Sequence, residues 1–367
     1  MRTPRTGQAN RYRNPWPMIG GLLIGALVAM NVVLLMRDSD PPPPMRTIPI
    51  GAEPNAAEVI SPGPQRKARF GVFVGTDRHD LTEFERFAGR PVQDVVDYSA
   101  RNTWADISDP DLVARYWRGT DKRLIYAVAM LPDTLKPRKD AAMRAGARGR
   151  YNQRFVDLAE HLVATGHENA VLRIGWEFNL KNWAWGIKDA RTYRQFFRQI
   201  VISMRSVPGA RFEIDWNVNN GYNPYDGTKY YPGDRYVDYV GVDAYDLDST
   251  VYPYPERCSA TCRLEIQQRA WNEVIHGGPR GLDFWSAFAA RHRKPLTLPE
   301  WGLWDPPNHT GGQDNPFYIE QMHDFIELSP NHVAYAAYFN FDGVRDGTHR
   351  LARFPNSRTM FRRLFSD

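Results

Sequence analysis

From about Ala68 onward the chain alternates between short apolar runs and longer stretches with helical periodicity. The apolar runs are Phe70–Val74, Val92–Tyr98, Leu124–Met130, Val171–Trp176, Phe212–Trp216, Tyr239–Val242, Leu296–Pro299 and Ala334–Asn340. They are nearly continuous rather than alternating, which is how strands buried on both faces read. Between them, helices are predicted around Asp80–Ala88, Asp109–Arg118, Ala145–Thr165, Ala190–Ser206, Glu265–Arg291, Asn315–Leu328 and Ser357–Phe365. Strands and helices in strict alternation over about 300 residues predict an α/β fold, a (β/α)8 TIM barrel. A doubly wound open sheet would carry a Gly-rich phosphate turn after its first strand. Gly71-Val72-Phe73-Val74-Gly75 lacks that pattern.

The N-terminal part follows a different pattern. Met18 to Met36 is an uncharged apolar run, long enough to cross a bilayer as a helix. Arg2, Arg5, Arg11 and Arg13 precede it, and Arg37, Asp38 and Asp40 follow. The positive-inside rule puts the N-terminus in the cytoplasm and the body outside. A cleaved signal peptide is the competing reading. The run is longer than a usual signal core, and no clear small-x-small site follows it, which favours an uncleaved anchor. The expected organisation is a cytoplasmic tail over 1–16, a transmembrane signal anchor over 17–36, a Pro-rich linker over 37–67 and the barrel over 68–367. Pro41-Pro42-Pro43-Pro44, with Pro49, Pro54, Pro62 and Pro64, makes the linker a semi-extended spacer.

Composition narrows the options. At 42% hydrophobic and 24% charged, the chain is globular. Its net charge of +5 is scattered and partly confined to the tail, so no nucleic-acid partner is expected. The two cysteines, Cys258 and Cys262, are expected to close a local disulfide outside the cytoplasm. His79, His167, His309 and His349 share no metal spacing and read as surface residues, so neither metal nor cofactor is expected.

Barrel enzymes keep their chemistry at the C-terminal ends of the strands. Those ends carry Asp97-Tyr98, Trp176-Glu177 with Asn179, Asp215-Trp216-Asn217, Asp243 with Tyr245, Glu300-Trp301, and Phe339-Asn340. A carboxylate at the end of an apolar strand is costly to bury without a purpose. Glu177 and Glu300, each beside aromatic residues, suggest the acid and the nucleophile of glycosidic cleavage. Glu177, between Trp176 and Phe178, suits the acid, because an apolar setting raises a carboxyl pKa. Glu300 suits the nucleophile, and Tyr245 is placed to donate a hydrogen bond to it. Trp183 and Trp185 are candidate sugar platforms; Trp176, Trp216 and Trp301 either stack on sugar or pack. Asn179, Asn217, Asp243 and Asn340 are candidate substrate contacts, weighed with Asp215 against capping of helices, and Arg173 is possible support.

An acid on strand 4 and a nucleophile on strand 7 resemble the clan A glycoside hydrolases, and the segments look most like glycoside hydrolase family 26, whose best-known members are endo-β-mannanases. Trp176-Glu177-Phe178-Asn179 followed by Trp183-Ala184-Trp185-Gly186 resembles the segment after strand 4. Val240-Gly241-Val242-Asp243-Ala244-Tyr245 and Leu298-Pro299-Glu300-Trp301-Gly302 resemble those of strands 6 and 7. Trp176 stands where that family has histidine. The resemblance implies a retaining hydrolase of a β-linked polysaccharide, β-mannan-like or a bacterial envelope or exopolysaccharide, that needs no cofactor. A transglycosylase with the same glutamates, or a non-catalytic carbohydrate-binding scaffold in polysaccharide assembly, are the alternatives. The anchor would put it on the extracytoplasmic side of the cell membrane, with polysaccharide synthesis or export machinery as a possible partner.

Overall fold

The computed structural model describes residues 67–327, 332–343 and 346–366. Eight parallel strands close a barrel in chain order: β1 (Arg69–Phe73), β2 (Asp94–Tyr98), β3 (Arg123–Val128), β4 (Val171–Ile174), β5 (Glu213–Asn219), β6 (Tyr239–Asp246), β7 (Leu296–Leu303) and β8 (Val333–Phe339). The last strand pairs with the first, Phe70 opposite Ala336 and Val72 opposite Tyr338. The helices are α1 (Arg78–Ala88), α2 (Trp104–Ser108), α3 (Asp111–Trp117), α4 (Lys139–Ala147), α5 (Asn152–Ala164), α6 (Ala190–Arg205), α7 (Ala260–Ala270), α8 (Leu282–Arg291), α9 (Pro316–Glu327) and α10 (Pro355–Phe365). The predicted (β/α)8 barrel is therefore present.

Two predicted helices are each two, and a third has a short helix before it. The stretch predicted over Ala145–Thr165 breaks between α4 and α5, where Gly149 takes φ +84°. The one over Glu265–Arg291 is interrupted by a wide turn at Trp271–Ile275 and by Gly277-Gly278-Pro279. The one at Asp109–Arg118 is preceded by α2, which Thr103 and Asp106 start with a reciprocal capping box. The proposed anchor over 17–36 and most of the linker lie outside the described residues. Among the described residues no helix is long and apolar enough to cross a membrane.

Two features of the barrel wall position the site. At its N-terminal end the interior is closed by charge. Asp94 takes Arg69 at 2.6 Å and Arg123 at 3.0 Å, and Arg123 reaches Glu213 at 2.8 Å. Further up, β7 carries a bulge. From Leu298 to Trp301 it advances three residues while β8 advances two, Ala336 to Tyr338. Against β6 it advances four residues, Thr297 to Trp301, while β6 advances three, Gly241 to Ala244. The extra residue falls at Pro299-Glu300, where proline cannot donate to the ladder. Side chains on a regular strand alternate, so Thr297 and Glu300 would face opposite ways. The bulge turns both inward and leaves Trp301 outside.

Candidate active site

The site sits at the C-terminal mouth around one buried guanidinium. Arg173 of β4 is wholly buried. Its Nη2 donates to Glu300 Oε1 at 2.7 Å, Asp243 Oδ2 at 2.8 Å and Asn217 Oδ1 at 2.8 Å. Asn217 in turn donates to Asp243 Oδ1 at 3.0 Å. The second oxygen of Glu300 accepts from the Tyr245 hydroxyl at 2.8 Å. Glu300 thus lies between a cation on one side and a phenol on the other. Arg173, read from the sequence as possible support, and Tyr245 both lie against Glu300.

Glu177 is presented differently. β4 ends at Ile174, and the chain then turns through two left-handed residues, Gly175 at φ +58° and Glu177 at φ +49°. A Cβ at position 175 would overlap the Met130 sulfur, so glycine is needed there for space as well as for φ. A left-handed glutamate costs about 1–2 kcal/mol and is retained where surrounding bonds fix it. Here the Glu177 N–H donates to the Asn217 carbonyl at 3.1 Å, and its own carbonyl accepts from the Leu180 N–H at 2.9 Å. Its carboxyl has one good donor, the Asn219 amide at 2.7 Å on Oε1. Asn179 clamps that asparagine from both sides, accepting from its N–H at 2.9 Å and donating to its carbonyl at 2.8 Å.

The setting of Glu177 changes its acidity. Burial, and next the negative charge of Glu300, push Glu177 up to about 7 from the usual 4.5. The Asn219 amide, Arg173 and the nearby Trp183 indole oppose that rise. Burial also pushes Asp243 up, against the pull of Arg173. Near neutrality Glu177 is therefore a poised acid, while Glu300 lies against the Arg173 guanidinium.

The aromatic residues divide by strand parity. Trp176 and Trp185 are completely buried, with the Trp185 indole N–H on the Trp176 carbonyl at 2.9 Å. Trp183 stacks on Trp185, centroids 5.1 Å apart and planes 4° from parallel, and Arg101 lies over Trp183. Trp183 is 8% exposed and the other two not at all, so Trp185, expected as a platform, and Trp176, expected to stack or pack, are both packing residues. Trp216 and Trp301 do not reach the site. Their neighbours in the strands, Asn217 and Glu300, point inward, so alternation sends both indoles outward. Trp216 packs on Trp285 and Phe288, and Trp301 on Tyr338, Phe361 and Phe365. Asn217 and Asp243, expected to touch substrate, are buried and spent on Arg173. Asn179 is spent on Asn219. Asn340 accepts from the Leu351 N–H at 3.0 Å and holds the loop after β8. Asp215 sits deeper, bonded by Thr297 at 2.6 Å and by the Tyr335 hydroxyl, in a space that Gly241 leaves open.

Several contributors escaped the sequence reading. Asn219 was passed over because β5 was predicted to stop at Trp216; continued alternation from Asp215 and Asn217 would have placed it inward. Lys139 donates to the carbonyls of Lys181 and Gly186 at 2.7 and 2.6 Å and pins the loop that carries Trp183. His167 and His349, read as surface residues, are buried. His167 bonds the Ala114 carbonyl at 2.7 Å, and His349 packs on Tyr245 and Trp304. Cys258 and Cys262 form the expected disulfide, ahead of and within the first turn of α7. Asp77, His79 and Asp80 are the one metal-compatible trio among the described residues, but Asp77 is already the N-cap of α1.

With this geometry in place, the comparisons with known proteins become informative. Residues 156–255 match the family model for Glycosyl hydrolase family 26. That segment contains Arg173, Glu177, Asn219, Asp243 and Tyr245, and the resemblance read from the sequence is met there. The enzyme class that follows is glycoside hydrolase. No curated protein matches the chain. Among solved structures, GH26C from Muricauda sp. MAR_2010_75 is 13% identical, with 83% of this chain and 86% of that one covered at a TM-score of 0.56. A double mutant of Cellulomonas fimi endo-β-1,4-mannanase is 18% identical, with 82% and 72% covered, TM-score 0.56. The catalytic domain of Bacillus sp. JAMB-750 GH26 endo-β-1,4-mannanase is 16% identical, with 82% and 87% covered, TM-score 0.52. At such identities these three share the barrel fold with the family 26 segment set into it.

Proposed function

We propose that the barrel is a retaining glycoside hydrolase acting on a β-linked polysaccharide by double displacement. One observation carries the reading: two buried carboxyls at the same mouth have opposite support, Glu300 bonded by the Arg173 cation and the Tyr245 hydroxyl, Glu177 pushed up to about 7 by burial and by the charge of Glu300. An oxygen of Glu300 attacks the anomeric carbon while Glu177 gives its proton to the leaving oxygen. The glycosidic bond breaks and a glycosyl ester to Glu300 forms. Glu177, now a carboxylate, takes a proton from water. That water attacks the same carbon, the ester breaks, and its electron pair returns to Glu300. Trp183, at the rim beside Glu177, is the candidate sugar platform.

The structural neighbours named as endo-β-1,4-mannanases favour β-mannan or a mannan-like envelope polysaccharide as substrate. The apolar run at 18–36 favours a membrane-anchored hydrolase with its barrel on the extracytoplasmic side, near exported polymer. The test is hydrolysis of β-mannan, glucomannan, mixed-linkage glucan, xylan and bacterial exopolysaccharides. Glu300→Ala should abolish turnover while keeping the fold, and the first product released by the wild type should retain its anomeric configuration by NMR. Turnover by Glu300→Ala at the wild-type rate would overturn the assignment.

A further inference from the structure

Tyr98 ends β2 inside the same mouth, and the two-glutamate mechanism assigns it nothing. Its ring is fixed on three sides. Phe73 meets it edge-on at 5.0 Å, Trp176 edge-on at 5.7 Å, and the Arg173 guanidinium carbon lies over it at 5.8 Å. Its hydroxyl is buried and makes no hydrogen bond of normal geometry. A buried phenol without a partner is costly, and such groups persist where function uses them. The groups around it are those of the site. After burial itself, the charge of Glu300 is what raises the Tyr98 phenol furthest, followed by the opposing pull of Arg173 and then a hydrogen-bond contribution from Glu300. Glu300 has room for another donor, since a carboxylate offers about four lone-pair sites and the described bonds come from Arg173 and Tyr245 alone.

We propose that Tyr98 is a third hydrogen-bond donor to the Glu300 carboxylate, a positioning residue that stabilises this group as it leaves the sugar. The inference rests on the proposed role of Glu300. While Glu300 is bound to sugar as an ester, one oxygen is covalently occupied and its charge is gone, so a donor there has little to hold. When water attacks, the ester bond breaks and the electron pair returns to that oxygen. A phenol waiting beside it stabilises the anion as it forms. Removing the donor makes Glu300 a stronger base, hence no worse a nucleophile but a poorer leaving group. Tyr98 therefore favours the second half of the reaction over the first.

Two measurements on the intact protein test this. The bond itself is read without substrate, by labelling tyrosine at Cζ with 13C and assigning Tyr98 by the signal lost in Tyr98→Phe. That signal should shift in Glu300→Ala, and an unchanged signal would overturn the proposal. The role is read with 2,4-dinitrophenyl β-mannobioside. In Tyr98→Phe, kcat and KM should fall together by about tenfold, with kcat/KM within about threefold of wild type and a burst of dinitrophenol equal to the enzyme present. A loss confined to kcat/KM, with no burst, would reduce Tyr98 to a packing residue. Undiminished turnover by Glu300→Ala would instead remove the function on which the proposal stands.

Discussion

The acidity of Glu177 can be tested on the protein's stability as well as on its rate. In the folded chain the carboxyl stands near 7, against 4.5 when exposed to water. That difference corresponds to about 3 kcal/mol between its protonated and ionised forms. Because the folded value is the higher one, the unfolded chain loses this proton first. The stability associated with neutral Glu177 is therefore fully present below about pH 4.5. It is lost as pH rises towards 7 and stays lost above that. Glu177→Gln keeps the shape and the neutral charge but has no proton to lose. Urea unfolding of both proteins between pH 4 and pH 8 should show the variant gaining about 3 kcal/mol on the wild type across this window, most of it before pH 7. A difference that does not change with pH would refute both the burial argument and the assignment of Glu177 as the acid. In the wild type the same ionisation should set the alkaline limb of kcat/KM near pH 7, since the first step needs the proton in place.

The Asn219 amide favours the ionised form of Glu177, so Asn219→Ala should move that alkaline limb upward by about one pH value, read from a kcat/KM profile; a downward move would contradict the geometry. Arg173→Met leaves Asp243 and Glu300 buried without their cation and should cost about 3–5 kcal/mol of stability in urea, with turnover lost as well. A variant of wild-type stability would mean that the ion pairs are not formed in solution.

Much of the architecture was legible in the chain. The apolar runs located all eight strands, because strands covered on both faces need continuous hydrophobic residues whatever their neighbours are. The two glutamates were legible for a related reason: a carboxyl closing an apolar strand is costly, and its cost points to use. The helix breaks at Gly149 and at Gly277-Gly278-Pro279 were written in the residues as well, although periodicity alone ran across them.

What the sequence left open was direction. Trp216 and Trp301 sit beside site residues in the chain and point away from them in space, since each strand has two faces. Glu300 faces inward only because β7 carries an extra residue at Pro299, and that parity is defined by pairing with β6 and β8. Arg173 read as a possible support and proved to be the hub, because three partners from β5, β6 and β7 meet it only when the barrel closes. Tyr98 and Asn219 gained their significance in the same way. The order of residues determined which groups are costly to bury; closure of the barrel decided which of them meet, and through that how strongly Glu177 holds its proton.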